Sequence, residues 1–151
     1  MTVYFAGPLF TSAERDWNQR LAAALRARQF VVRLPQEDAA ALIADSTFDP
    51  AALFSLACTS VANSDVVLAV LEGADADSGT SFECGVAWAK GIPIVGLRTD
   101  LRSGGDGGAN VNLMLSESCA TIVQVNALIN SEVDHIAGLV TPALESVGKS
   151  D

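Results

Sequence analysis

Two acids, Asp77 and Glu83, stand six residues apart in the run Asp77-Ser78-Gly79-Thr80-Ser81-Phe82-Glu83-Cys84-Gly85. Two carboxylates meeting at one crevice can divide the roles of nucleophile and acid. The run follows an uninterrupted apolar stretch, Val66 to Leu71, and opens a short helical pattern that Gly91 ends. A strand, a polar glycine-bearing turn and a helix start that presents a carboxylate make a common ligand site. Spacing alone gives Glu83 a plainer reading. It lies three residues after Thr80, as in a capping box where Thr80 caps the helix and Glu83 bonds back. Gly79 suits a tight turn, and Gly85 suits either a close approach or ordinary helix-strand packing. Glu72 and Asp75, on the same loop, read as solvated acids.

These residues need elements to position them. Thr2 to Ala6 reads as a buried first strand stopped by Gly7-Pro8, and a helical stripe through Trp17, Leu21, Ala24 and Leu25 follows, capped by Thr11 or Ser12. Phe30 to Leu34 is a second strand ended by Pro35. Gln36-Glu37-Asp38 then starts an alanine-rich helix, and Pro50 starts another through Leu53, Leu56 and Val61. Val66 to Leu71, apolar throughout, is expected mid-sheet with both faces covered. Ile92 to Leu97 is a fourth strand, Asn112 to Ser118 a short helix, Ala120 to Val125 a fifth strand and Asn130 to Ser146 a last helix. The glycine-rich 103–108 stretch reads as a loop that could close over a pocket. It is no phosphate loop, because no strand directly precedes it and no Lys-Ser/Thr follows.

Strands alternating with helices imply an α/β fold with a five-stranded parallel sheet, flavodoxin-like, in the order 2-1-3-4-5. Ligands of such sheets lie outside the carboxyl ends of the strands, at the switch point between strands one and three. That rule selects the loops at Gly7 to Phe10, Glu72 to Thr80 and Arg98 to Asn112. Tyr4, late in strand one, could then bring its hydroxyl to the helix start after strand three; the alternative is a buried tyrosine with a local partner. Phe10 is either an aromatic wall for a planar ligand or an edge-of-core residue.

Composition narrows the partners. With 151 residues, half of them hydrophobic, the chain is expected to form one domain over residues 1–151. A net charge of −9 with only nine Lys plus Arg disfavours binding to a nucleic-acid polymer or an anionic membrane. Three separated cysteines, Cys58, Cys84 and Cys119, make neither a disulfide framework nor a metal knuckle, and point to a reducing cytoplasm. The single histidine, His135, reads as part of a solvated helix face, and no metal is implied. Gly7-Pro8 interrupts the apolar start with no basic segment before it, so neither a signal peptide nor a membrane span is expected.

Val3-Tyr4-Phe5-Ala6-Gly7-Pro8-Leu9-Phe10, the Asp-x-Gly-x-x-x-Glu-x-Gly run ending at Gly85, and Asn112-Leu113-Met114 together resemble the nucleoside 2-deoxyribosyltransferase family. The likeness spans roughly residues 3 to 125. It implies a flavodoxin-like fold and exchange of the base on a 2′-deoxynucleoside for a free nucleobase through a covalent deoxyribosyl-enzyme. Glu83 matches the nucleophile that attacks C1′, Tyr4 the tyrosine that orients it, and Asp77 the acid that helps protonate the departing base. Asn112, with Met114 beside it, matches an asparagine lent by a neighbouring subunit, which implies a homo-oligomer (a dimer or trimer of dimers). Gly7, Phe10 and Gly79 are expected around the substrate. No cofactor is needed, since a carboxylate attacking the anomeric carbon follows retaining-glycosidase chemistry.

The chain departs from the family in two places. Many relatives carry an aspartate about eight residues before the strand-three aspartate, where this chain has Ala57, and some end in a tyrosine, where this chain ends Gly148-Lys149-Ser150-Asp151. Two other readings stand beside transfer. One is hydrolysis of deoxynucleoside 5′-monophosphates, with Arg98 or Arg102 on the phosphate. The other is a non-catalytic nucleoside- or nucleotide-binding module.

Overall fold

The computed structural model describes residues 1–45, 49–101, 110–126 and 128–148. The glycine-rich 103–108 loop, Arg102 and the final three residues lie outside them. Five parallel strands form one sheet in the order β2-β1-β3-β4-β5, as the alternation implied. They are β1 (Thr2–Ala6), β2 (Val31–Arg33), β3 (Val66–Val70), β4 (Ile94–Arg98) and β5 (Thr121–Gln124). The connecting helices are α1 (Ser12–Ala27), α2 (Pro35–Asp45), α3 (Pro50–Ala62), α4 (Ser78–Ala89), α5 (Leu113–Ser118) and α6 (Val133–Val147). No helix among the described residues is long and apolar enough to cross a membrane.

Successive strand side chains point to opposite faces, so each strand feeds two cores. Val3, Phe5, Leu68 and Val70 pack with Leu21 and Leu25 of α1 and Ile136, Val140 and Leu144 of α6. Tyr4, Ala6, Val67, Ala69 and Leu71 pack with Val61 of α3, Cys84 and Ala87 of α4 and Leu115 of α5. The central strand β3 is buried along its whole length, which accounts for its unbroken apolar run. Trp17 lies against the first of these cores, edge-on to Phe5 with ring centroids 6.5 Å apart. His135 is exposed on α6, as its place in the helical pattern predicts.

Several turns at the carboxyl ends are fixed by side chains. Thr11 caps α1 in a full capping box, and Glu14 Oε2 accepts the backbone N–H groups of Phe10 and Thr11 at 2.9 and 2.7 Å. Arg15 donates to the carbonyls of Leu9 and Phe10, and Asn18 to that of Pro8. Gly7 packs closely here: a Cβ would meet the Phe5 and Val70 side chains at 3.2 and 3.3 Å, and they would have to give by a few tenths of an ångström. Glu72 is no solvated acid. It accepts the N–H and hydroxyl of Thr99 and the N–H of Asp100, tying the ends of β3 and β4 together. Arg98, 3% exposed, donates to the carbonyls of Leu71 and Gly73. At the far end of α4, Gly91 adopts φ +71, the left-handed conformation that ends a helix before Pro93.

Candidate active site

The two-residue period of β1 puts Tyr4 on the same face of the sheet as α4. Glu83, on the flank of α4 turned towards α3, meets it: the Tyr4 hydroxyl donates to Glu83 Oε1 at 2.6 Å. The length is that of a charge-assisted O–H···O bond. It joins residues 79 positions apart, so the partner of Tyr4 is not a local one. Burial pushes the Glu83 carboxyl up to about 7; the bond from Tyr4 opposes that rise and the charge of Asp77 adds to it. Burial, then the charge of Glu83 and its hydrogen bond, drive the Tyr4 hydroxyl far above its ordinary value. Tyr4 therefore remains a proton donor throughout the neutral range.

The capping-box reading of Glu83 is corrected. The helix begins earlier, at Ser78, with Asp77 as its cap: Asp77 Oδ2 accepts the Thr80 N–H at 3.0 Å and the Thr80 hydroxyl at 3.3 Å. Relieved of capping, Glu83 is available to Tyr4. Gly79 consequently lies in the first helical turn and not in a tight turn, and a Cβ there would press on Asp77 Oδ2 at 3.0 Å. Gly85 is corrected too, since a Cβ on it would meet nothing within 4 Å in this chain.

A cavity of about 200 Å³ opens beside the pair, walled by Leu9, Pro35, Ala39, Leu53, Leu56 and Ala57. Tyr4, Glu83, Asp38 and Ser60 bring the polar groups to it. It is smaller than the roughly 300 Å³ at which drug-sized pockets begin, so it suits one flat ring system better than a whole nucleotide. Ala57 forms part of the wall. A second groove of about 160 Å³ between α3 and α4 reaches Glu83 from the other side, past Phe54, Cys58, Gly79 and Phe82.

The other expected residues are spread around this centre. Asp77 acts on Glu83 through its charge but does not line the cavity. Gly7 holds the close approach of β1 to β3, and Phe10 is 72% exposed, while its neighbour Leu9 supplies the wall. Asn112 caps α5, accepting the Met114 N–H at 2.9 Å. Leu113 and Met114 line a separate groove of about 540 Å³ with Gly85 and Trp88, on the flank of α4 turned away from Glu83. Within one chain, then, Tyr4 and Glu83 are assembled and Met114 is not brought to them. Asp38 was not anticipated. It follows β2, an edge strand that the switch-point rule passes over, and only the helical phase of α2 separates it from its outward neighbour Glu37. No group of three or more His, Cys, Asp or Glu among the described residues could hold a metal ion.

Comparison with known proteins places this geometry in context. None of the curated proteins matches the chain significantly. A conserved protein from Enterococcus faecalis V583 is 29% identical with a TM-score of 0.66, over 89% of this chain and 98% of that one. The 2-deoxyribosyltransferase of Bacillus psychrosaccharolyticus aligns with a TM-score of 0.69 at 18% identity, over 90% of this chain and 96% of its own. The CMP N-glycosidase of Clostridium botulinum, BcmB, aligns with a TM-score of 0.56 at 16% identity, over 95% and 99%. At such identities these last two speak to the fold. The family model described as nucleoside 2-deoxyribosyltransferase matches residues 3–114, which span β1 to the start of α5 and include Tyr4, Asp77 and Glu83. The chain belongs to the nucleoside 2-deoxyribosyltransferase family.

Proposed function

We propose that this protein transfers 2-deoxyribose between nucleobases through a covalent deoxyribosyl intermediate on Glu83. The observation that carries the reading is the Tyr4–Glu83 bond of 2.6 Å at the edge of an apolar cavity, in a chain of this family. In the first step a Glu83 oxygen bonds to C1′ as the bond from C1′ to the base nitrogen breaks. The departing base keeps that electron pair and gains a proton, which Asp77, beside Glu83 at the start of α4, helps to deliver. In the second step a ring nitrogen of another base attacks C1′ and gives its proton back to Asp77 as the bond from C1′ to Glu83 breaks, which frees the carboxylate. Tyr4 holds Oε1, which aims the other carboxylate oxygen. The apolar walls keep water from competing at the intermediate. Residues 1–151 act in this reading as one cytoplasmic domain that needs neither cofactor nor metal.

The direct test supplies 2′-deoxyinosine and adenine and separates the products. Transfer is expected to give 2′-deoxyadenosine and hypoxanthine. Free deoxyribose without a new nucleoside would mean hydrolysis, and no turnover would favour a binding module. Hydrolysis of 5′-monophosphates is disfavoured by two contacts. The N–H groups of the β1–α1 turn that an anion would use are taken by Glu14, and Arg98 is committed to backbone carbonyls.

The reading also places Asn112 and Met114 of one subunit at the sugar of a neighbour's site. In support, Met114 is 79% and Trp88 67% exposed beside the α4/α5 groove, an apolar surface suited to a second copy. Glu83→Ala and Asn112→Ala proteins, each inactive alone, should then regain activity when their subunits are mixed. Random pairing into dimers returns about a quarter of the wild-type value. A strictly monomeric, active protein in sedimentation would remove this role.

A further inference from the structure

We propose that Asp38 reads the base: its carboxylate, on the cavity wall beside Tyr4 and Glu83, accepts an N–H from an exocyclic amino group and so selects amino-bearing nucleobases over their oxo counterparts. The inference rests on the reading that a nucleobase fills the cavity next to Glu83.

Asp38 lines that cavity, and its charge reaches the Tyr4 hydroxyl. The first turn of α2 is held so that, of its polar side chains, Asp38 is the one that lines the cavity, beside Pro35. Gln36 donates to the Arg15 carbonyl and accepts from Asn18, and Glu37 is paired twice with Arg26, at 2.9 and 2.7 Å. Asp38 makes no ion pair or side-chain hydrogen bond among the described residues, so its acceptor oxygens remain available to a ligand. Of the other polar groups lining the cavity, Tyr4 and Glu83 are engaged with each other. On α3 the wall is formed by Leu53, Leu56 and Ala57 with Ser60, so besides Glu83 it is Asp38 that brings a carboxylate to the cavity.

A carboxylate has acceptor oxygens and no hydrogen to give. An amino group at the rim of the ring presents one hydrogen clear of the ring nitrogen. The oxo bases offer a ring N–H instead, and it adjoins a carbonyl oxygen that would meet the negative charge. Both classes can donate, so the discrimination comes from that carbonyl oxygen, whose repulsion by the carboxylate the amino bases avoid.

The test is equilibrium binding by calorimetry, which needs no turnover, of adenine against hypoxanthine and cytosine against uracil. Wild-type protein is expected to bind the amino member of at least one pair about tenfold more tightly. Asp38→Asn, whose amide can donate to a carbonyl, should bring that ratio to about one or below. Equal wild-type affinities within both pairs would overturn the proposal whatever the variant does. So would an unchanged ratio in Asp38→Asn, or an equal loss for all four bases, which is what a merely structural role would give. Selective binding without exchange would leave Asp38 as the reader and sink the transferase reading. Exchange with an unaltered amino-to-oxo ratio would sink this inference alone. No binding of any base would overturn both.

Discussion

Glu83→Ala is expected to lower base exchange by about ten-thousandfold or more, since the proposed covalent bond to C1′ is made by this carboxylate. Full activity in that variant would remove Glu83 as nucleophile. The fold should survive, because among the described residues the side chain bonds to Tyr4 alone and caps no helix. The isosteric Glu83→Gln variant makes this separable from misfolding. Burial raises the folded-state value of the carboxyl from 4.5 to about 7, so the folded protein holds a proton on Glu83 that the unfolded chain has already released. Stability therefore falls as pH rises from about 4.5 to 7, and above that window the ionised Glu83 costs the fold roughly 3 kcal/mol. Glu83→Gln carries no such cost. It should melt higher than wild type at pH 8 and close to wild type at pH 4, while being equally inactive. A variant less stable than wild type at pH 8 would contradict the electrostatics described for this site.

Tyr4→Phe should act on the same carboxylate from the other side. Glu83 must be ionised to attack, so wild-type kcat/KM is expected to rise through a pH of about 7. Removing the hydroxyl deletes the one contact that holds the carboxyl down, leaving burial and the charge of Asp77 to raise it further. The ascending limb should shift by about one pH unit towards alkali, and the rate at pH 7 should drop about tenfold to a hundredfold. Part of that loss should return at pH 9. A lower rate with an unmoved limb would mean that Tyr4 only fills space.

The fold was legible in the sequence because its signals are local: an all-apolar β3, Gly7-Pro8 after β1, Gly91 before Pro93, and strand and helix patterns in strict alternation. Boundaries were less so. Phe30 and Leu34 are buried but lie just outside the three residues of β2, since apolar character marks burial and not the hydrogen-bonded ladder. The cap of α4 was misplaced because Asp77 and Thr80 are both good capping residues, and spacing does not say which of them the chain uses. Tyr4 and Glu83 could be paired through the expected neighbourhood of β1 and β3 and the family resemblance, while the residues alone left Tyr4 a local partner as the alternative. Asp38 escaped because an acid in the first turn of a helix ordinarily favours the helix dipole, and its inward phase is a tertiary fact. Glu72 and Arg98 escaped for a similar reason: apart from the Thr99 hydroxyl, the partners described for them are backbone groups at another strand end, which no side-chain pattern announces.

The alternation of β1 has a consequence for how this chain can vary. Tyr4 faces α4 and Phe5 faces α1 only through the parity of their positions between Thr2 and the fixed Gly7 turn. Inserting or deleting one residue in that span would exchange the two faces, bury the hydroxyl among aliphatic groups and leave Glu83 facing a phenylalanine. Substitution remains open at Val3 or Phe5 as long as the size is kept. A change of length by a single residue is closed, so the five residues of β1 form a stretch whose count matters more than its composition.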